Sequence, residues 1–133
     1  MADLKSVAAA WAPRLLSVMR IIFGFLLMPH GMQKLFGFPA PMPPGAPPFV
    51  VYVGGGIEFV GGLLLLLGLF TRPAAFIVSG MMAVAYFMAH APNGFWPILN
   101  HGELAVIYCF VALYFSAAGG GPWSLDAALR RAA

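Results

Sequence analysis

The amino-acid sequence predicts an all-α integral membrane protein, an antiparallel four-helix transmembrane bundle formed by a single domain over residues 1–133. Hydrophobic residues make up 62% of the chain and charged residues 8%, whereas a soluble domain averages about 45–50% apolar and ~25% charged residues. The mean hydropathy is +0.90. Four segments approach the length of about 20 apolar residues that a spanning helix needs. None alternates as a strand does, and a bilayer admits only helices or closed barrels.

The first apolar segment, at about residues 15–36, ends in the stretch MPHGMQK. Its polar residues His30, Gln33 and Lys34 are spaced i, i+3 and i+4, so they share one face of a helix. We expect Pro29 to open the helix so that these side chains face the neighbouring helices. The residues before the segment lack the strong apolar core of a cleaved signal peptide, so we expect a retained signal anchor.

The second segment, at about residues 49–70, carries Glu58 within the sequence FVVYVGGGIEFVGGLLLLLGLF. A charged carboxylate inside the bilayer costs at least about 2.5–3.5 kcal/mol, so it has to be paired or protonated. Glycines lie four residues away on either side, and small residues at this spacing let a neighbouring helix approach closely. We therefore expect Glu58 to point into the bundle with His30 or Lys34 as its partner. An ion pair with Lys34 that merely fixes the helix register is the structural alternative.

The third and fourth segments lie at about residues 74–91 and 98–117. A proline-rich loop joins segments one and two, the tripeptide TRP joins two and three, and PNGFWP joins three and four. An amphipathic tail at about residues 123–133 is expected to lie at the membrane interface. Segments three and four add further polar residues at the end of the bundle where Lys34 lies: His90, Asn100, His101 and Glu103.

The basic residues predict the orientation of the bundle. Threading four helices up and down places most of them on one side, namely Lys5, Arg14, Arg72, Arg130 and Arg131, with Lys34 on the other. The positive-inside rule then predicts that both termini are cytoplasmic. Arg20 lies within the same leaflet as the cytoplasmic group, and we expect Arg20 and Arg72 to be snorkelling anchors.

Several functional classes are disfavoured by composition. The net charge of +3 comes from scattered residues, so we predict no nucleic-acid partner. The single cysteine, Cys109, allows neither an internal disulfide nor a CxxC redox pair. The di-iron pattern Glu-x-x-His is absent, and the histidines are not accompanied by a CxxCH haem motif. We therefore predict no bound metal and no haem.

Four stretches of the chain resemble the DoxX family of small bacterial membrane proteins. They are PHGMQKLFG, GGIEFVGGLLLLLGLFTRPAA, FMAHAPNGFWP and NHGELAVIY. The resemblance implies a four-helix inner-membrane bundle linked to redox chemistry, since some relatives are membrane subunits of a thiosulfate:quinone oxidoreductase. Others look like partners of superoxide dismutase and sulfurtransferase in redox-stress assemblies. Family patterns read NGGE where this chain reads NHGE, so His101 departs from the family.

The first functional hypothesis is a component of a quinone-dependent oxidoreductase in the bacterial inner membrane. In it, His30 hydrogen-bonds a quinone carbonyl, Glu58 relays protons, and Lys34 stabilises negative charge or pairs with a small anionic donor. The residues expected to complete the quinone site are Gln33, His90, Asn100, His101 and Glu103. The chain shows no cofactor motif of its own, so electrons have to come from a substrate or a redox partner protein.

Two alternatives remain open at the level of sequence. The chain could be a non-catalytic anchor that assembles redox partner proteins, with the polar cluster as structural glue, and it could form a homo-oligomer. A small-solute or proton pathway is the weaker alternative, because intramembrane charges often mark such routes but the apolar stretch LLLLLGLF opposes a continuous path.

Overall fold

The computed structural model describes residues 3–133, in which the regular secondary structure is helical and no strand occurs. Helix α1 is Leu4–Phe36. Helix α2 is Gly55–Leu67, preceded without a break by the π-helical turn Val50–Gly54. Helix α3 is Thr71–Ala85, continued by a π-helical turn, Tyr86–His90, and a 3₁₀ turn, Ala91–Asn93. Three further helices follow, and they are α4 (Pro97–Asn100), α5 (Glu103–Ala118) and α6 (Leu125–Ala132).

Three of the helical stretches are long and apolar enough to cross a membrane. They are Leu4–Phe36, Val50–Leu67 and Thr71–Asn93, and the apolar helix Glu103–Ala118 is shorter. Large apolar side chains on these helices point outward, with Phe76 on α3 65% exposed. Because such surfaces need an apolar solvent, the chain is a membrane protein whose helices contact lipid.

The first helix is longer than predicted, and it continues without a break through Pro29. It begins at Leu4 instead of about residue 15. At this start, the Asp3 side chain accepts a hydrogen bond from the Lys5 amide. Pro29 does not open it, because helical structure runs unbroken to Phe36. Helices in membranes tolerate an internal proline when neighbouring helices hold the segment in place.

The predicted fourth helix at about 98–117 is present as α5 but begins later than predicted, because residues 101–102 interrupt the helical structure between α4 and α5. His101 adopts the left-handed conformation with φ 61°. The Asn100 side chain takes over the local backbone bonding: its Oδ1 accepts from the Gly102 amide at 2.8 Å and its Nδ2 donates to the Gly94 carbonyl at 2.8 Å. Asparagine side chains compete with helical hydrogen bonds in this way, so the segment turns before α5 begins.

The core is formed by residues from α1, α2, α3 and α5. Phe23 packs edge-on against Tyr108 and Phe115, with ring centroids 4.8 and 5.4 Å away. Leu65 and Val78 are completely buried in the same cluster. The core therefore joins these four apolar helices to one another.

Glycines allow α1 and α2 to pack backbone against backbone. A methyl group at Gly24 or Gly31 of α1 would collide with the backbone of α2 at Leu66 or Phe59. The predicted close approach beside Glu58 is confirmed at Gly62, where a Cβ would lie 2.8 Å from the Met28 nitrogen, but not at Gly54, where a Cβ would meet nothing within 4 Å. Small residues at helix contacts are the usual means of such packing in membranes.

Arg20 is completely buried, so the prediction that it snorkels is wrong. Its Nε donates to the Gly120 carbonyl at 2.9 Å, and its Nη atoms donate to the carbonyls of Leu65 and Trp123, both at 2.5 Å. The carbonyls at the end of a helix have no partner within the helix. Arg20 donates to two such carbonyls of α2, those of Leu65 and Leu66, and fastens the segment before α6 to α1.

Helix α6 caps the start of α3 with a carboxylate. Asp126 Oδ1 accepts from the Phe70 amide at 2.8 Å, and Oδ2 accepts from the Thr71 amide at 2.9 Å. Arg72, which is exposed, also ties helices together, because its guanidinium donates to the carbonyls of Ser116 and Ala117 at the end of α5. These contacts close the end of the molecule that carries most of its basic residues.

Candidate functional site

A cavity of about 660 Å³ lies at the opposite end of the molecule, where α1 ends and α2 and α5 begin. Six side chains with polar groups line it, and they are His30, Lys34, Glu58, His90, His101 and Tyr108. The rest of the wall is apolar: Met42, Phe49, Val50, Val53, Gly54, Ile57, Phe76, Ile77, Gly80, Met81, Met82, Val84, Ala85, Met88, Ala89, Leu104 and Ala105. Several wall residues, including Phe76 and Met88, are also exposed on the apolar outer surface. The cavity therefore lies directly beside the apolar outer surface.

Lys34 and Glu58 form an ion pair in the cavity wall. The Lys34 Nζ lies 2.6 Å from each Glu58 carboxylate oxygen. The side chains are 18% and 6% exposed, respectively. The close contact of α1 and α2 makes this geometry possible, because a Cβ at Gly55 would lie 2.9 Å from the Lys34 Cβ. Lys34 is thus the partner of Glu58, one of the two that the sequence allowed.

His30 lies one helical turn before Lys34 on the same wall of the cavity. Its ring meets Tyr108 edge-on, with centroids 6.1 Å apart. The predicted face of α1 is present for these two residues, since residues at i and i+4 lie above one another. Gln33, the third residue predicted for this face, does not line the cavity.

His90 and His101 enter the cavity from the other side, at the end of α3 and between α4 and α5. The His90 Nδ1 lies 3.0 Å from the Asn100 carbonyl oxygen. A carbonyl can only accept, so the imidazole donates here, and in the neutral ring Nε2 carries the free lone pair. The His90 ring also stacks on Tyr86, with centroids 6.3 Å apart.

Two further residues predicted for a quinone site lie outside the cavity lining, namely Asn100 and Glu103. Asn100 is buried and its amide bonds Tyr86, Gly94 and Gly102. It holds the turn that presents His101. Glu103 is exposed at the start of α5. Direct contact of these two residues or of Gln33 with a ligand stays a prediction.

The chain is similar in sequence to known proteins over a region that contains several of the cavity residues. A model of the DoxX family matches residues 15–91, a range that includes His30, Lys34, Glu58 and His90. The chain belongs to the DoxX family. It is 44% identical over 123 residues to an uncharacterized protein of Haemophilus influenzae, covering 87% of this chain and 91% of that protein. It is 31% identical to an uncharacterized membrane protein of Mycobacterium tuberculosis, covering 100% of this chain and 96% of the relative. No solved structure matches.

Tyr108 is the cavity residue with a polar side chain that was not predicted from the sequence of this DoxX protein. It is 6% exposed and stands on the buried face of α5 with Ala105, Ala112 and Phe115. These positions recur at helical spacing, so the face could have been found from the sequence. A tyrosine on the core side of an apolar helix is a signal in itself, because its hydroxyl needs a partner when buried.

The part of the chain that the structure describes contains no cluster of side chains suited to bind a metal ion. Within residues 3–133, no three or more His, Cys, Asp or Glu side chains converge on one point. The three histidines share the cavity wall but do not form such a group. The expectation that the protein binds no metal stays a prediction.

Proposed function

We propose that this DoxX-family protein binds a quinone in the cavity and acts as a component of a quinone-linked oxidoreductase. The observation that carries the proposal is an apolar cavity beside the outer surface that has a largely buried ion pair in its wall. Its volume lies within the roughly 300–1,000 Å³ of typical ligand sites. A quinone combines an apolar body with polar carbonyl oxygens, which matches this division of the wall.

The polar side chains support the chemistry that a quinone needs. Reduction of a quinone to a quinol takes two electrons and two protons. Lys34 can stabilise negative charge on one oxygen, His30 can hydrogen-bond a carbonyl, and Glu58 can take up and release a proton beside them. Electrons come from a two-electron donor, either a small anion or a redox partner protein that docks at this end.

The packing of the protein interior favours a binding site over a transmembrane pathway. Along α1, the cavity residues His30 and Lys34 are followed toward the other end by Leu27 and Phe23, which are buried in the core. Leu65 and Phe115 are completely buried in the same cluster. Tightly packed apolar side chains of this kind oppose a continuous polar route.

Quinone reduction in native membranes tests the proposed role of Glu58. We expect Glu58→Gln to lower the rate roughly 100-fold, the lower range of the contribution of a positioned acid–base group. Asp3→Asn, which neutralises an exposed carboxylate at the other end, is the matched control and should leave the rate unchanged. Equal rates in wild type and Glu58→Gln, measured in the native assembly, would reject the assignment.

A membrane anchor for redox partners is the second candidate function. The segment between α3 and α5 exposes large apolar residues, with Phe95 81%, Trp96 64%, Ile98 71% and Leu99 71% exposed. Interfaces are rich in aromatic anchors of this kind. Replacing Phe95 and Trp96 with serine should release a stoichiometric partner in pull-down experiments. A partner retained by this variant would argue against the segment as the docking site.

A further inference from the structure

The Tyr108 side chain is buried, and its hydroxyl makes no hydrogen bond with the described residues of the protein. The hydrogen bonds around the cavity join Lys34 to Glu58, His90 to Asn100, and Asn100 to Tyr86. Within residues 3–133, none involves the Tyr108 hydroxyl, although the residue is only 6% exposed. Buried tyrosine hydroxyls ordinarily have a partner.

This hydroxyl is not sealed in the core, and it belongs to a residue of the cavity wall. In the described part of the chain, the side-chain polar atom that is both sealed and without a partner is Thr71 Oγ1, at the other end of the molecule. Tyr108 is among the residues that line the cavity. Its unused hydroxyl is thus available to a molecule held there.

The Tyr108 ring is held in place by aromatic contacts. Phe23 meets it edge-on at 4.8 Å on one side, and His30 meets it edge-on at 6.1 Å. A donor on a ring fixed in this way is already oriented before a ligand arrives, which reduces the entropy lost on binding. Lys34 and Glu58 line the same cavity from α1 and α2.

We infer that Tyr108 is a ligand-binding residue whose hydroxyl donates a hydrogen bond to a carbonyl oxygen of the bound molecule. The inference rests on the proposed function and adds to it a specific donor on α5. The ligand class is a planar, apolar compound with a carbonyl acceptor, of which a quinone is the expected example. Tyr108 and the Lys34 ammonium then both act as donors to the ligand from the cavity wall.

Binding of a short-chain benzoquinone analogue to the full-length protein in lipid nanodiscs tests this donor. The variant Tyr108→Phe removes the unpartnered oxygen and keeps the ring that packs on Phe23. Tyr114→Phe makes the same change at an exposed position of α5 that does not line the cavity. We expect Tyr108→Phe to raise the Kd roughly three- to tenfold, the effect of losing one hydrogen bond, and Tyr114→Phe to leave it unchanged.

Infrared spectra with an analogue labelled with ¹³C at its carbonyls give an independent measurement. A hydrogen bond lowers the carbonyl stretching frequency, so one carbonyl band should move back toward its free position in Tyr108→Phe. An unchanged Kd and spectrum in Tyr108→Phe, with binding weakened by Glu58→Gln, would overturn the role of Tyr108 and leave the proposed function intact. Failure of the wild-type protein to bind the analogue would overturn both.

Discussion

At the scale of single residues, the cavity depends on a pair of opposite charges in apolar surroundings. Lys34 and Glu58 hold each other at 2.6 Å, and neither is more than 18% exposed. A buried ion pair is weak evidence for stability by itself, because desolvation of both charges offsets their attraction. Removal of one partner is costly, since the other charge is left without compensation.

This asymmetry gives a double-mutant prediction. Lys34→Met alone should destabilise the protein by about 3–5 kcal/mol, while Lys34→Met combined with Glu58→Gln should recover most of the loss. Unfolding of the three proteins in mixed detergent micelles measures the difference. If the double variant is less stable than Lys34→Met, the pair is not coupled as the structure shows.

The surroundings of some single residues could be predicted from the sequence, and those of others could not. The isolated carboxylate in an apolar run indicated a buried, paired Glu58, and basic residues on α1 supplied its possible partners. Arg20 was misread, because its partners are carbonyl groups of Leu65, Gly120 and Trp123, far away in the chain. No side-chain pattern reveals that a glycine-rich segment folds back over a helix end.

At the scale of helices, the ion pair depends on how closely α1 and α2 approach. Gly31 lies one turn before Leu35 on α1, and a methyl there would collide with the α2 backbone at Phe59 and Gly55. Glycine is thus required for space at this contact. Glu58 is positioned by the same contact, so helix packing and site geometry are linked.

A pair of glycine-to-alanine variants tests that link. Gly31→Ala should separate the helices, lower the thermal stability and displace Lys34 from Glu58, at a cost of about 1–3 kcal/mol typical of overpacking. Gly56→Ala is the control, because a Cβ at Gly56 meets nothing within 4 Å. Melting curves in one detergent compare the two. Equal melting temperatures would show that the close approach is not needed.

The contact of α6 with α3 predicts a pH dependence. Partial burial raises the pKa of Asp126, but hydrogen bonds from the Thr71 and Phe70 amides and the charge of Arg130 outweigh it and lower the pKa below its usual range. A carboxyl with a depressed folded-state pKa stabilises the fold above its unfolded pKa of about 3.9 and loses that contribution as the pH falls through the folded pKa.

The docked state of α6 should therefore be stable at neutral pH and loosen only in acid. Limited proteolysis of the C-terminal segment between pH 7 and pH 2 measures the release. Asp126→Asn should be cleaved faster at neutral pH and show a weaker response to acid than the wild type. Identical cleavage profiles would mean that Asp126 does not hold the helix.

At the scale of the whole molecule, the two ends differ in chemistry. One end gathers Arg20, Arg72 and the α6 contacts, and the other holds the cavity with Lys34 and Glu58. The polarity of the chain and its apolar segments sufficed to predict a helical membrane protein. The break at His101 was not predicted, because it depends on side-chain hydrogen bonds of Asn100 that hydropathy does not register.

We propose that all four apolar helices, α1, α2, α3 and α5, span the bacterial inner membrane with both termini in the cytoplasm. The basic residues of the α6 end support this orientation by the positive-inside rule. Single cysteines at Ala2 and Gly45, in a background where Cys109 is serine, should react differently with a membrane-impermeant thiol reagent on intact spheroplasts. Labelling at Gly45 but not at Ala2 is expected, and the reverse pattern would invert the orientation.

The quinone content of the protein purified from its native membrane in mild detergent tests the central claim most directly. Mass spectrometry of the extracted lipids should find a near-stoichiometric quinone in the wild type and much less in Glu58→Gln. A wild-type protein that carries no quinone would contradict the account and favour the anchor function. Equal quinone contents in Glu58→Gln and in a control variant that alters only the lipid-facing surface would do the same.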